Sequence, residues 1–187
     1  MAAPADFTTL DISGKFVMNK TLSDSSDEIL RLQGVNWFKR KLIGAGTVSL
    51  VIKHYKGDDA VECIDIDQTL SPGGIGTREE RVMDWQERSK EDSLFGYIIG
   101  RSRRVKLEEI DDDYLKTGWT PDSIEHGFIQ SYVSSDSPKS GTTWIANQIW
   151  GLEEIDGVRR YVRHVFFTGP GGEEIRGRLV YDYTGPL

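Results

Sequence analysis

His164 and Tyr181 are the side chains of this 187-residue chain best suited to chemistry. An imidazole titrates near neutrality and can take or give a proton, and a phenol in a dry setting donates a hydrogen bond to a developing enolate. Arg101, Arg163 and Gln148 add groups able to hold a carbonyl or anionic oxygen. Hydrolytic and phosphate chemistries lack their motifs. There is no nucleophile elbow, and Gly73, Gly74 and Gly76 have neither the spacing nor the following helix of a phosphate loop. His54, His126 and His164 lie far apart and Cys63 is the sole cysteine, so neither a metal nor another cofactor is expected.

Strands must aim these groups. Alternate residues of a strand share a face, so a polar side chain within an inward apolar row of a barrel is a candidate ligand contact. Residues 174–183 supply such a row in Leu179, Tyr181 and Tyr183, and residues 144–154 supply another in Trp144, Gln148 and Trp150. In 159–168 the row Val162, His164 and Phe166 is the narrower one, which predicts His164 inside the barrel beside Tyr181. Trp85 on the face of Arg81 and Met83, Tyr97 on the face of Arg101, and Tyr132 complete the expected lining. An aromatic at strand spacing suits a core as well as a cavity wall, so each carries both readings.

Residues 14–41 supply the roof. Phe16 and Met18 alternate with Lys15 and Val17 as on a half-buried strand, and the period then changes to a helical one. Ser23 and Asp24 are N-cap candidates, Gly34 ends a first helix, and Val35, Trp37 and Phe38 restart the apolar spacing for a second. Ile29, Leu32, Val35, Trp37 and Phe38 are therefore the expected lid residues. Everything downstream has strand character: 47–56, 61–69, 77–88, 93–107, 128–134, 144–154, 159–168 and 174–183, interrupted by an acidic insertion at 108–127. The prediction is a mainly β fold: a single antiparallel barrel of about ten strands with a short two-helix lid after the first strand. Residues 1–12 are expected to form a flexible arm and 13–187 the barrel domain.

The opening Gly14 and Phe16, then Asp27, Gly34 with Val35, and Arg40 with Lys41, resemble the start of the fatty-acid-binding proteins of the calycin superfamily. Gln148 with Trp150, and residues 179–181, resemble two late strands of that family. The chain is also similar throughout to small fungal lipocalin-like proteins with the same FVMNKTLSD start and VRRYVRHV and RLVYDY endings. The resemblance implies an internal cavity whose ligand carboxylate is held by arginine and tyrosine. Here Leu179 stands where the terminal-strand arginine belongs, Tyr181 is retained, and the other arginine position falls on Arg163 or His164 according to turn length. An incomplete clamp implies a less charged, polycyclic or polyketide-like ligand. Calycin-type barrels of fungal biosynthesis also serve as cyclases and isomerases.

The formal net charge of −7 repels a phosphate backbone, which argues against nucleic acid as a partner. Basic clusters at 101–104 and 159–163 are matched by acidic runs at 108–113 and 153–156, as on solvated sheet faces. A single cysteine excludes an internal disulfide, and neither a secretory leader nor a membrane-spanning run is evident. A cytoplasmic protein, monomeric or weakly dimeric, is expected. The leading expectation is binding of a small hydrophobic molecule in the barrel. The alternative is a cofactor-independent isomerase or cyclase using His164 and Tyr181, and a third reading is a protein-interaction module built on 108–127.

Overall fold

The computed structural model describes residues 2–187, the Ile75 side chain excepted. Its elements run β1 (Gly14–Met18), helices α1 (Asp27–Leu32) and α2 (Trp37–Ala45), then β2 (Thr47–Lys56), β3 (Glu62–Ser71), β4 (Ile75–Val82), β5 (Arg88–Asp92) and β6 (Gly96–Val105). After an insertion holding helices α3 (Asp113–Lys116) and α4 (Pro121–His126) come β7 (Phe128–Ser135), a helical turn α5 (Ser137–Ser140), β8 (Ile145–Ile155), β9 (Val158–Thr168) and β10 (Glu174–Gly185). All ten strands form one antiparallel sheet in the order β4-β3-β2-β1-β10-β9-β8-β7-β6-β5. The sheet curls into an open barrel whose edges are β4 and β5. The mainly β barrel with a two-helix lid is thus as expected, with one change: 77–88 is broken at 83–87, where Trp85 takes a left-handed φ of 60° and the chain starts a new edge strand.

Alternation explains the barrel. Val48, Leu50 and Ile52 of β2 pair across to Leu70, Gln68 and Ile66 of β3, and the apolar members are buried. The β8–β9 hairpin turns on Asp156 and Gly157, with φ of 54° and 71°. Two left-handed residues define the tight turn that matches strand twist, and they fix the register as Trp150 opposite Arg163 and Leu152 opposite Tyr161.

One end of the barrel is filled and the other hollow. Phe16, Ile52, Ile64, Ile66, Trp150, Leu152 and Tyr161 pack into a solid core at the filled end. The N-terminal residues, predicted to be a flexible arm, are instead seated on it. Ala3, Phe7 and Ile12 are buried, the Ala3 amide donates to the Arg159 carbonyl at 2.8 Å, and Phe7 packs 5.7 Å from Phe16. Apolar residues in the arm supply the reason, since each covers core that strands alone leave wet. At the hollow end lie α1 and α2. Gly34 ends α1 with φ 85°, as expected, but Ser23 and Asp24 do not cap that helix: they accept from the backbone of Val180 and Arg178 at 2.8 and 2.9 Å and pin the segment to β10.

The insertion is not a free loop. Ile110, Leu115 and Trp119 pack with Phe128, Ile149, Val162 and Val180 into a second core on the outer face of β7–β10. Thr120 and Ser123 hydrogen-bond the Leu152 backbone. No helix among the described residues is long and apolar enough to cross a membrane.

Candidate functional site

A cavity of about 830 Å³ occupies the hollow end between the helices and the core. Its upper wall comes from Ile29, Leu30, Leu42 and Ile43 of the lid helices, and its sides from Leu70, Ile98, Val165 and Leu179. Most of the lining surface is apolar; charged side chains of the edge strands β4 and β5, Arg78, Arg88, Lys90 and Asp92, with Lys39 of α2, line the open side, and one group of polar residues lies at the floor. Arg163 on β9 is 5% exposed there, its Nε–H donates to the Tyr161 phenol at 2.9 Å, and its guanidinium carbon lies 4.0 Å from the centre of the Trp150 ring. Arg81 on β4 lies 5.0 Å from the same ring. Arg81 donates to Glu79 at 2.6 and 3.0 Å and to Ser102 Oγ at 3.3 Å. Gln148 accepts from the Trp150 indole N–H at 2.9 Å.

These contacts set the charges. Burial works to raise the Glu79 carboxyl, but the positive charges of Arg81 and Arg163 outweigh it and hold the group below its usual range. Burial likewise opposes the Arg163 charge, yet Tyr161, Tyr181 and Glu79 more than offset it and its pKa is raised. Burial pushes the Tyr161 phenol up to about 12 and raises Tyr181 as well, so both stay protonated donors at neutral pH.

The structure gathers only part of the expected set. Arg163, Gln148, Leu179 and Tyr181 line the cavity, and Arg101 touches its edge. Trp150 lies beneath the floor, and Tyr183 packs at the filled end against Phe7 and Phe16. Trp85, Tyr97 and Tyr132 stand outside: the Arg101 guanidinium covers Trp85 and Tyr132 at 4.2 and 4.9 Å on the face opposite Ser102, and Tyr97 is exposed. Of the lid residues, Ile29 faces the cavity and Leu32 and Val35 are buried, whereas Trp37 and Phe38 are 64% and 65% exposed. They turn outward because Leu42 and Ile43 line the cavity from α2 in their place.

His164 is the main correction. It points out of the barrel, where Glu153 holds its Nε2, the Tyr114 carbonyl lies 3.2 Å from Nδ1, and Trp119 covers the ring at 4.2 Å. Arg178 donates to the other Glu153 oxygen at 3.1 Å. The narrower row of β9 faces outward because the insertion covers it, so a second core lies where solvent was expected. Glu79 and Arg81 were missed as a pair. Their signal lay in pairing: they stand opposite Ile66 and Ile64, core residues of β3, and cross-strand partners share a face.

A ten-stranded antiparallel barrel with a helical lid over an apolar cavity places the chain among the calycin-type, fatty-acid-binding-protein-like folds. The Schistosoma mansoni fatty acid binding protein in complex with arachidonic acid superposes with a TM-score of 0.55 over 92% of this chain and 95% of that one, at 11% identity. The fluorescent protein UnaG superposes with a TM-score of 0.54 over 92% and 97%, at 14% identity. No protein-family model matches the chain. Two relatives align throughout. Pericyclase pydY of Acremonium sp. is 34% identical over 191 residues, covering 100% of this chain and 98% of its own, and probable pericyclase scpY of Mollisia scopiformis is 32% identical over 189 residues, covering 99% and 96%. The chain belongs to the family of these pericyclases.

Proposed function

We propose that the chain is a pericyclase that takes a small hydrophobic polyene into the barrel and folds it for ring closure. The observation that carries this reading is the alignment of two pericyclases over essentially the whole chain, lid and cavity walls included. The physical fit supports it. A pericyclic reaction moves electrons around a ring of the substrate's own atoms, so it needs no nucleophile, redox partner or outside proton. What it does need is a conformation with the reacting carbons in contact, and confinement supplies that. A cavity of about 830 Å³ lies within the usual range for a small-molecule site and limits how extended a flexible chain can remain. Binding by the apolar wall is then the first step of the activity rather than its whole. The free thiol of Cys63 and the acidic surface suit a reducing aqueous compartment, and we place the protein in the cytoplasm.

The test uses an extract of the source organism with this gene deleted, incubated with the purified protein. The expected result is loss of one compound and gain of another with identical exact mass and fewer double bonds by ultraviolet absorption. Stoichiometric capture of a compound recovered unchanged, or a product of different mass, would overturn the reading.

A further inference from the structure

The lid helix α2 turns its largest apolar side chains away from the protein. Trp37 and Phe38 are the two most exposed large apolar residues among those described, and Leu42, one turn after Phe38, is exposed as well. None of the nine residues of α2 is buried. At 3.6 residues per turn Trp37, Lys41 and Ala45 stand one above the other with Phe38 and Leu42 beside them, so the outer face is an apolar stripe holding one lysine. Lys41 Nζ lies 5.9 Å from the centre of the Trp37 ring on that face. Positive charge gathers here too. Residues 36–46 hold Lys39, Arg40 and Lys41 and no acid, in a chain of net charge −7. Arg40 pairs with Asp27 at 3.5 Å and Arg31 with Glu28 at 2.6 Å, so the acids of α1 are matched. Lys39 donates to the Ser93 carbonyl at 3.3 Å and Lys20 to the Gly44 carbonyl at 2.8 Å, both neutral acceptors. With Lys41 they leave three ammonium charges around the stripe uncompensated.

We propose that the outer face of α2 docks on an anionic lipid surface. Trp37, Phe38 and Leu42 enter the headgroup boundary, and Lys20, Lys39 and Lys41 meet the lipid phosphates and carboxylates. An indole and a lysine stem suit that depth, since each has an apolar body and a polar tip. A second copy of the chain is a poor occupant, because a two-fold contact through this face sets Lys41 against Lys41 and a basic helix on a basic helix. A protein partner is a poor one for its size. Nine residues make a helix about 14 Å long, and one face of it falls far short of the roughly 800 Å² that each side of a stable complex buries. A bilayer needs no matched surface, and each side chain that enters it contributes on its own. The acidic remainder of the chain is repelled by the same surface, so the charge asymmetry turns α2 toward it. Docking in this pose sets the cavity, whose upper wall is the inner side of the same helix, against a bilayer in which a hydrophobic ligand partitions. The docking itself does not depend on the pericyclase reading.

Co-sedimentation of the full-length protein with phosphatidylcholine vesicles, with and without phosphatidylserine, measures the docking. The unaltered protein is expected to bind the mixed vesicles and to leave them at high salt. Trp37→Ala with Phe38→Ala should weaken that binding about 10-fold or more. Lys20→Gln with Lys41→Gln should weaken it about 10- to 30-fold, the worth of two cations near an anionic surface. All four side chains are exposed, so these variants should melt as the unaltered protein does. Brominated lipid locates the face independently of affinity: it should quench the tryptophan emission of the unaltered protein, and Trp37→Phe should remove that quenching while the protein stays bound. Absence of binding to mixed vesicles overturns the proposal. So do equal binding to neutral and mixed vesicles, double variants that bind like the unaltered protein, and quenching that survives Trp37→Phe. A dimer in sedimentation equilibrium that dissociates on the two aromatic substitutions also overturns it and gives the face to a second copy.

Discussion

Leu179 and Arg163 face each other across the β10–β9 ladder, both toward the cavity. Arg81 at the floor is paired with Glu79, so an arginine at the first position would add a second cation without a carboxylate partner beside Arg163, as in the carboxylate clamp of fatty-acid-binding proteins. Leu179→Arg should therefore destabilise the empty protein by on the order of 3 kcal/mol, the scale of a buried charge without a counter-ion. A long-chain carboxylate should then restore what the substitution removes. Thermal melts with and without parinaric acid, and with its methyl ester as control, check this: the acid should raise the midpoint of the variant more than that of the unaltered protein, and the ester should not.

His164 and Glu153 act as a latch for the insertion. The pair is buried on the outer face beneath Trp119 and Tyr114, and Gly118, with φ 90°, passes so close that a Cβ there would meet the Glu153 carboxylate at 2.9 Å. His164→Ala should cost roughly 1–3 kcal/mol, the scale of removing one partner of a buried hydrogen bond, because Arg178 still holds the carboxylate. Limited proteolysis should then cut within 107–127, while affinity of the cavity for a hydrophobic dye stays unchanged well below the melting temperature. A loss of dye binding without a loss of stability would return His164 to the cavity.

The fold was legible because its signals are local. Alternation in β2, the break of period after Met18 and the left-handed Gly34 each belong to a few neighbouring residues. The site was legible only where a row is unambiguous, as with Leu179 and Tyr181. On β9 both rows carry apolar residues, and which one faces in depends on cross-strand register. Asp156 and Gly157 held that information: a two-residue turn there places Arg163 opposite Trp150, so the inward row of β8 dictates the inward row of β9. What no local signal revealed is that residues 107–127 cover the outer face, making His164 a core residue. On β4, residues 78–81 are four consecutive charged side chains with no apolar row to read, and only pairing with Ile66 and Ile64 turns Glu79 and Arg81 inward.

Acid should release the N-terminal arm before the barrel. Burial tends to raise the Glu62 carboxyl, but hydrogen bonds from His54 and Arg104 outweigh it and bring it down to about 2. Those partners in turn hold the arm, since His54 Nδ1 accepts from the Ile12 amide at 3.2 Å and Arg104 donates to the Thr9 carbonyl at 2.8 Å. A carboxyl with a depressed folded-state pKa adds stability that is full above its ordinary value and is lost as pH falls toward about 2. Stability of the unaltered protein should therefore decline through that window, and Glu62→Gln should remove about 1–3 kcal/mol at pH 7 with a shallower acid limb. Urea melts at a series of pH values give both quantities. An unchanged acid limb in the variant would assign the decline to other carboxylates.

The two faces of the lid should respond in opposite ways to truncation. Leu30 is buried and lines the cavity, whereas Trp37 and Phe38 extend into solvent from the start of α2. Leu30→Ala removes contacts that hold α1 on the barrel and should cost about 2–4 kcal/mol, part of it recovered when a ligand refills the space. Trp37→Ala and Phe38→Ala remove no buried contact and should shift stability by less than about 0.5 kcal/mol. The double variant is the sharper case, because an aromatic pair that roofed the cavity would weaken a bound dye when lost. Dye affinity equal to that of the unaltered protein places the roof on Ile29, Leu30, Leu42 and Ile43. A severalfold drop would mean that α2 rotates in solution to bring Trp37 and Phe38 over the ligand.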